Sequence, residues 1–221
     1  VYVLHFGDIA PYLPVLAHAL VLTIELTAMA TLGSLGLSYV LAFVLGGANR
    51  WLRLTIEWYV QIIRNTPVLI QMFLIYFGLP LAGVRLDPFT AGVIALIVNN
   101  TAYITEILRG GIQSIPRGQI DAARISGLGR GRIYLSIVLP QASRKTYSAV
   151  TNQLIILFLN TSVCSYVALN ELTATAMSVA SDTYRMFEVY LLIAAVYVVL
   201  TFVLGGLFRL VERLRLNWET Q

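Results

Sequence analysis

Residues 119–140 read QIDAARISGLGRGRIYLSIVLP, a polar, helix-prone stretch set between long apolar runs. Asp121, Ala122 and Ala123 are followed at four residues' distance by Gly127, which predicts a short helix closed by a left-handed cap. Glycine takes that conformation without steric cost, whereas a side chain strains it. Gly127 and Gly129 interrupt the stretch, and a second amphipathic piece is expected, with Ile133 and Ile137 one turn apart. Leu139-Pro140 is expected to stop it, because proline disfavours helical backbone in the residue before it. A helix-turn-helix flanked by membrane spans is shaped either for a groove on a soluble partner or simply as an ordered loop.

The flanking runs set the class. Of 221 residues, 58% are hydrophobic and only 12% charged, with mean hydropathy +0.78. Soluble domains carry about a quarter charged residues, so an all-α integral membrane protein is predicted. The net charge of +4 is then read through its placement across the membrane rather than as a sign of nucleic-acid binding. A lone cysteine, Cys164, excludes an internal disulfide and reads as a small packing residue. His5 and His18, both near the start, form no metal-binding motif. The only lysine, Lys145, follows Arg144 rather than glycine, so there is no phosphate-binding loop. No catalytic residues, metal or cofactor are expected in this chain; any ATP must bind another subunit.

Five spans are expected within a single domain, 1–221. The first, residues 15–46, exceeds the about 20 residues that cross hydrocarbon, with Gly33 and Gly36 giving it a thin side. Its length, its lack of a preceding basic stretch and Glu25 within it argue against a cleaved signal peptide. The chain opens at Val1, so an initiator methionine and a little more are expected to be missing. Residues 47–53 read as a basic turn. The other spans are residues 55–77, 89–108, 143–167 and 186–207, with a Thr/Ser/Ala-rich surface segment at 168–185. Alternating sides place 12 basic residues, from Arg50 to Arg215, on one face and only Arg85 and Arg185 on the other. The positive-inside rule then sets the N-terminus outside and the 112–140 loop in the cytoplasm.

Polar residues inside the spans mark a path or a glue. Arg64 lies deep in the second span, where it either pairs with Glu57 or faces a solute. In the third span Asn99, Tyr103 and Glu106 recur at i, i+4 and i+7 on one face, with Arg109 beyond, where Glu106 and Arg109 are expected to pair. Such a face suits a hydrogen-bonding solute or interhelical bonds. Glu171 and Asp182, in the external segment, read as entrance or solvated carboxylates, and Glu25 as interfacial.

Several of these patterns are similar to those of a known family. Asp121-Ala122-Ala123, three residues, Gly127, nine residues and Ile137-Val138-Leu139-Pro140 resemble the EAA loop of ABC-importer permeases, with aspartate for the usual glutamate. Arg64-Asn65-Thr66-Pro67 is similar to the Arg-Gly-Thr-Pro motif of polar-amino-acid permeases, with asparagine for glycine. NNTAYITEILRGGIQSIPRGQIDAAR, Leu139-Pro140-Gln141-Ala142, Thr161-Ser162, Glu171-Leu172 and Phe187-Glu188 extend the resemblance to histidine/glutamine-type permeases over residues 15–210. The family often has Lys-Asp before Thr-Ser; here the pair is Leu159-Asn160, which removes two charges near the expected path.

The resemblance implies five transmembrane helices, with a cytoplasmic coupling helix between helices 3 and 4, in a multi-pass permease of the bacterial cytoplasmic (inner) membrane. It implies two ATP-binding subunits, a second permease chain (identical or homologous) and an extracytoplasmic solute-binding protein. The solute would be a polar amino acid, zwitterionic or cationic. Asp121, Ala122, Ala123, Gly127, Leu139 and Pro140 would couple to the ATPase, and Asn99, Tyr103, Thr161, Ser162, Arg64 and Glu171 would meet solute. Two rivals stand beside this reading. An ion-coupled secondary transporter would need more spans and mid-membrane carboxylates. A membrane anchor for a peripheral enzyme would not need polar faces inside its spans.

Overall fold

The computed structural model describes residues 4–47 and 49–215; Ala48, within the expected basic turn, and both ends of the chain lie outside them. The described residues are all-helical. A 3-10 segment, Phe6–Tyr12, leads into α1, Leu13–Gly47. Then follow α2, Arg50–Arg64; α3, Val68–Phe73; and α4, Pro88–Gln113. Short helices α5, Arg117–Ile125, and α6, Arg130–Ile133, precede α7, Leu139–Asn160. The chain closes with α8, Leu172–Thr183, and α9, Met186–Arg215. Four helical stretches are long and apolar enough to cross a membrane, or five if the bent pair formed by Arg50–Arg64 and Val68–Ala82 is one span.

Helix α4 is the centre. It packs against α1, α2, α3 and α7, and 67% of its most apolar window is buried, against 6% for α9. α9 and the outward side of α1 therefore present apolar side chains such as Leu32, Val40, Val199 and Phe202 to their surroundings. That suits hydrocarbon, which accepts apolar side chains provided the backbone bonds internally. Asp87 accepts from the Thr90 N–H at 3.0 Å and Pro88 occupies the first turn, so α4 begins at a defined residue. Close approaches hold it to its neighbours. A Cβ on Gly111 would lie 2.5 Å from Thr146 Cγ2 and 3.1 Å from the Ala142 carbonyl oxygen. Gly33 meets Ile97 in the same way, while Gly36 faces open space.

Three expectations change here. The second span is no straight helix: it turns by 107° between Arg64 and Val68, where Pro67 lacks an N–H and Asn65 and Thr66 leave the helix. Leu139-Pro140 does not end its helix. A π turn at Tyr134–Val138 runs directly into α7, with Pro140 in the first turn, and the wider turn accommodates a ring that would clash with a regular one. The 47–53 turn is mostly helix, because Asn49 caps α2 by accepting from the Leu52 N–H at 2.9 Å.

The cap expected at Gly127 is present. Its φ is +79°, and the Leu128 N–H reaches back to the Ala123 carbonyl at 3.2 Å, while Gly127 donates to Arg124 at 3.0 Å. The surface segment holds α8, which buries Leu172, Ala176, Val179 and Ala180 against α1 and α9. Cys164 is buried beside Gly92.

Candidate functional site

The break between α2 and α3 frees backbone carbonyls, and one side chain collects them. Gln71 Nε2 donates to the Ile63 carbonyl at 2.8 Å, to the Thr66 carbonyl at 3.0 Å and to Thr66 Oγ1 at 2.8 Å. Its oxygen accepts from Asn99 Nδ2 at 3.0 Å. The first residue of the shared α4 face is thus pinned to the break through Gln71, a residue whose sequence signal was only its place after Pro67.

The remaining members of that face meet the same break. Tyr103 Oη lies 3.4 Å from the Arg64 carbonyl, and the Arg64 guanidinium stands 5.6 Å from the Tyr103 ring centroid. One turn on, Glu106 takes two bonds from Arg109, at 2.6 and 2.8 Å, and a looser ion pair with Arg64 at 3.6 Å. Arg64 therefore pairs with Glu106 rather than with Glu57, which lies two turns, about 10 Å, back along its own helix. Glu57 lines the same cavity as Glu106 and Arg109, so two carboxylates balance the two guanidiniums. The side chains of Arg64, Glu106 and Arg109 stay about a quarter to a third exposed, so solvent screens them.

Thr161 and Ser162 open a 3-10 segment, Thr161–Val167, that packs against α3 and α4. Thr161 is buried with its hydroxyl bonded to the Phe158 carbonyl at 2.6 Å, and half-buried Ser162 bonds the Leu159 carbonyl at 2.8 Å. Both hydroxyls are thus held by their own helix, on a segment beside the break. Glu171 is elsewhere and fully buried. It caps α8 by accepting from the Ala174 N–H at 2.8 Å and lies 3.3 Å from Tyr197 Oη. Burial raises its carboxyl above the usual range, against bonds from Thr173, Ala174 and Tyr197 that lower it. Glu171, read from the sequence as an entrance or a solvated carboxylate, is a buried helix cap.

A second polar cluster lies on the other side of α4. Gln153 donates to Asn100 at 3.0 Å, and Asn100 donates to Ser34 at 2.9 Å, joining α7, α4 and α1 in a fully buried chain.

In the loop, Asp121 and Arg124 form an exposed pair at 3.4 Å, Ala122 is exposed, and Ala123 is buried with Ile133 and Tyr134. Among the described residues no group of three or more His, Cys, Asp or Glu is placed to hold a metal.

Residues 38–216 match the model of the binding-protein-dependent transport system inner membrane component family. The chain belongs to that family. It is a multi-pass inner-membrane permease subunit, not an enzyme, and membership implies an ATPase and a solute-binding protein as partners. The chain is 41% identical over 186 residues to a probable glutamine ABC transporter permease protein, GlnM, of Bacillus subtilis (strain 168), covering 80% of this chain and 86% of that one. It is 32% identical to the glutamine transport system permease protein GlnP of Escherichia coli (strain K12), over 94% and 96% of the two chains. A crystal structure of an amino acid ABC transporter with histidines matches at TM-score 0.87 and 34% identity, over 96% of this permease and 99% of that chain.

Proposed function

We propose that this permease imports a polar amino acid, passing it along the α2–α3 break beside Asn99, Tyr103, Arg64 and the Thr161-Ser162 segment. The observation that carries the reading is the gathering of one α4 face onto a broken helix in a half-exposed polar network. Neutral amide and hydroxyl groups suit an ammonium, and a guanidinium suits a carboxylate. The similarity to permeases for glutamine supports an amino acid as the class of solute. Glu171 takes no part in solute contact in this proposal, because its carboxylate is committed to a buried cap.

In the same proposal the N-terminus is outside and residues 112–140 form the cytoplasmic coupling loop of a single permease domain. Asp121, Ala122, Ala123 and Gly127 dock on an ATPase, and Leu139-Pro140 carry its motion into α7. Two such loops, one from each of two permease chains, meet two ATPases, because one subunit has too few walls to enclose a path. Alternating access follows from states biased by ATP and by the loaded binding protein.

The test is uptake and solute-stimulated ATP hydrolysis by the reconstituted transporter carrying Gly127→Leu. A leucine is strained at φ +79°, so hydrolysis is expected to continue without uptake, or the ATPase to dissociate. Wild-type coupling in this variant would remove the loop from its proposed role. A permease that transports with only one copy of any permease chain per complex would remove the pairing.

A further inference from the structure

A groove of about 660 Å³ opens between the end of α1 and the helices of the 112–140 loop. Phe43, Val44, Ile112, Ile133 and Val138 make its walls apolar, and Arg124 and Arg130 stand on it. The walls are fixed: the Tyr134 hydroxyl donates to the Ala42 carbonyl, and its ring fills the space beside Gly46. The Arg130 side chain is exposed and makes no hydrogen bond or ion pair with another described residue, while the Arg124 side chain has only the exposed Asp121 at 3.4 Å. Such a pair contributes little and yields readily to a stronger anion. The apolar wall continues along α1 through Phe43, Val40 and Leu37, which are 39%, 56% and 49% exposed on the face this helix turns away from α4 and α7.

We propose that this groove binds an anionic phospholipid, its phosphate between Arg124 and Arg130 and an acyl chain along the exposed stripe of α1. Charge selects the headgroup, since clustered arginines beside a membrane helix attract anionic lipid. Continuity with the α1 stripe selects a lipid over a soluble anion or a protein segment, because only a lipid needs both the basic mouth and the long apolar wall. The volume lies within the range that holds a small ligand. The proposal rests on membership in an inner-membrane family; Arg124 shares α5 with the residues proposed to dock on the ATPase, so lipid and ATPase compete there and position 130 tells them apart.

The intact transporter is equilibrated in bilayers holding equal amounts of phosphatidylglycerol and phosphatidylcholine, and the lipid retained on the permease is weighed by native mass spectrometry. Phosphatidylglycerol is expected to be retained preferentially. Arg124→Gln and Arg130→Gln are each expected to weaken retention about fivefold, and the pair about 25-fold, with Arg130→Lys close to wild type. Equal retention of both lipids overturns the proposal, as does retention unchanged in the double variant. Soluble inorganic phosphate binding as tightly as the lipid would show that the apolar wall contributes nothing, and would overturn it too. Contact of the ATPase with position 130 in a lipid-free groove would assign the surface to that subunit instead.

Discussion

Asn99 and Asn100 are neighbours on one helix and have opposite settings. Asn100 faces into the protein, where Ser34 and Gln153 use its amide on both sides and leave no route to solvent. Asn99 is equally buried, yet its side-chain partner among the described residues, Gln71, bonds the broken end of α2 at Ile63 and at exposed Thr66, next to partly exposed Arg64, Glu106 and Arg109. The first cluster joins three helices and closes on itself. The second holds a helix break and opens outward. A polar residue in a membrane span is thus assigned by where its bonding chain ends, not by its type.

The strongest way to break this contrast is Gln71→Leu. The buried Asn99 amide loses its partner, and an unsatisfied buried group costs about 1–3 kcal/mol. Thermal unfolding in detergent is expected to shift accordingly and uptake to disappear. Normal uptake in this variant would mean that the 107° bend stands without Gln71, and the open network would lose its organiser.

Gly111→Leu attacks only the closed side. Its Cβ would collide with Thr146 and the Ala142 carbonyl, pushing α4 away from α7 at a cost of about 1–3 kcal/mol. The expected result is lower stability with Asn99 still held by Gln71, so a solute-protection assay on the break should be unchanged. Asn100→Ala should have a smaller effect, about 1–2 kcal/mol, since hydrogen bonds between membrane helices are individually modest. Combining it with Gln153→Ala should reveal coupling of about 0.6–1.7 kcal/mol in a double-mutant cycle, and additivity would show that this bond does not hold α4 to α7.

Much of this was legible in residue order. The i, i+4, i+7 spacing of Asn99, Tyr103 and Glu106 predicts a shared face, and all three meet the break. The Gly127 cap follows from local chemistry, since a turn needing positive φ leaves its mark in one residue. What escaped was set by distant contacts. Arg64 was offered Glu57 because helix periodicity sees only its own helix, whereas Glu106 arrives through the packing of α4 on α2. Pro67 was read as part of one span, 55–77, because the bend is held by long-range bonds of Gln71 that leave no local pattern. Glu171 looked exposed because its segment is polar; the folding of α8 onto α1 and α9 buries it. The closed cluster of Ser34, Asn100 and Gln153 had no short-range signal, its members being spread over three helices.

The finest discrimination between site and glue is Tyr103→Phe. The hydroxyl of Tyr103 is 3.4 Å from the Arg64 carbonyl, a long contact that contributes little to stability. The ring beneath the Arg64 guanidinium, 5.6 Å away, is kept by phenylalanine, so the cation–π contact survives. Arg64 also retains Glu106, and the break retains Gln71. Thermal stability is therefore expected to change by less than about 0.5 kcal/mol. If the hydroxyl bonds a passing solute, the maximal uptake rate at saturating binding protein should fall about three- to fivefold, the worth of one neutral hydrogen bond of about 1 kcal/mol. Basal ATP hydrolysis, measured on the same proteoliposomes, should stay at the wild-type level. An uptake rate equal to wild type with stability reduced would make Tyr103 a structural residue like Asn100, and the open network would then serve the bend of α2 alone.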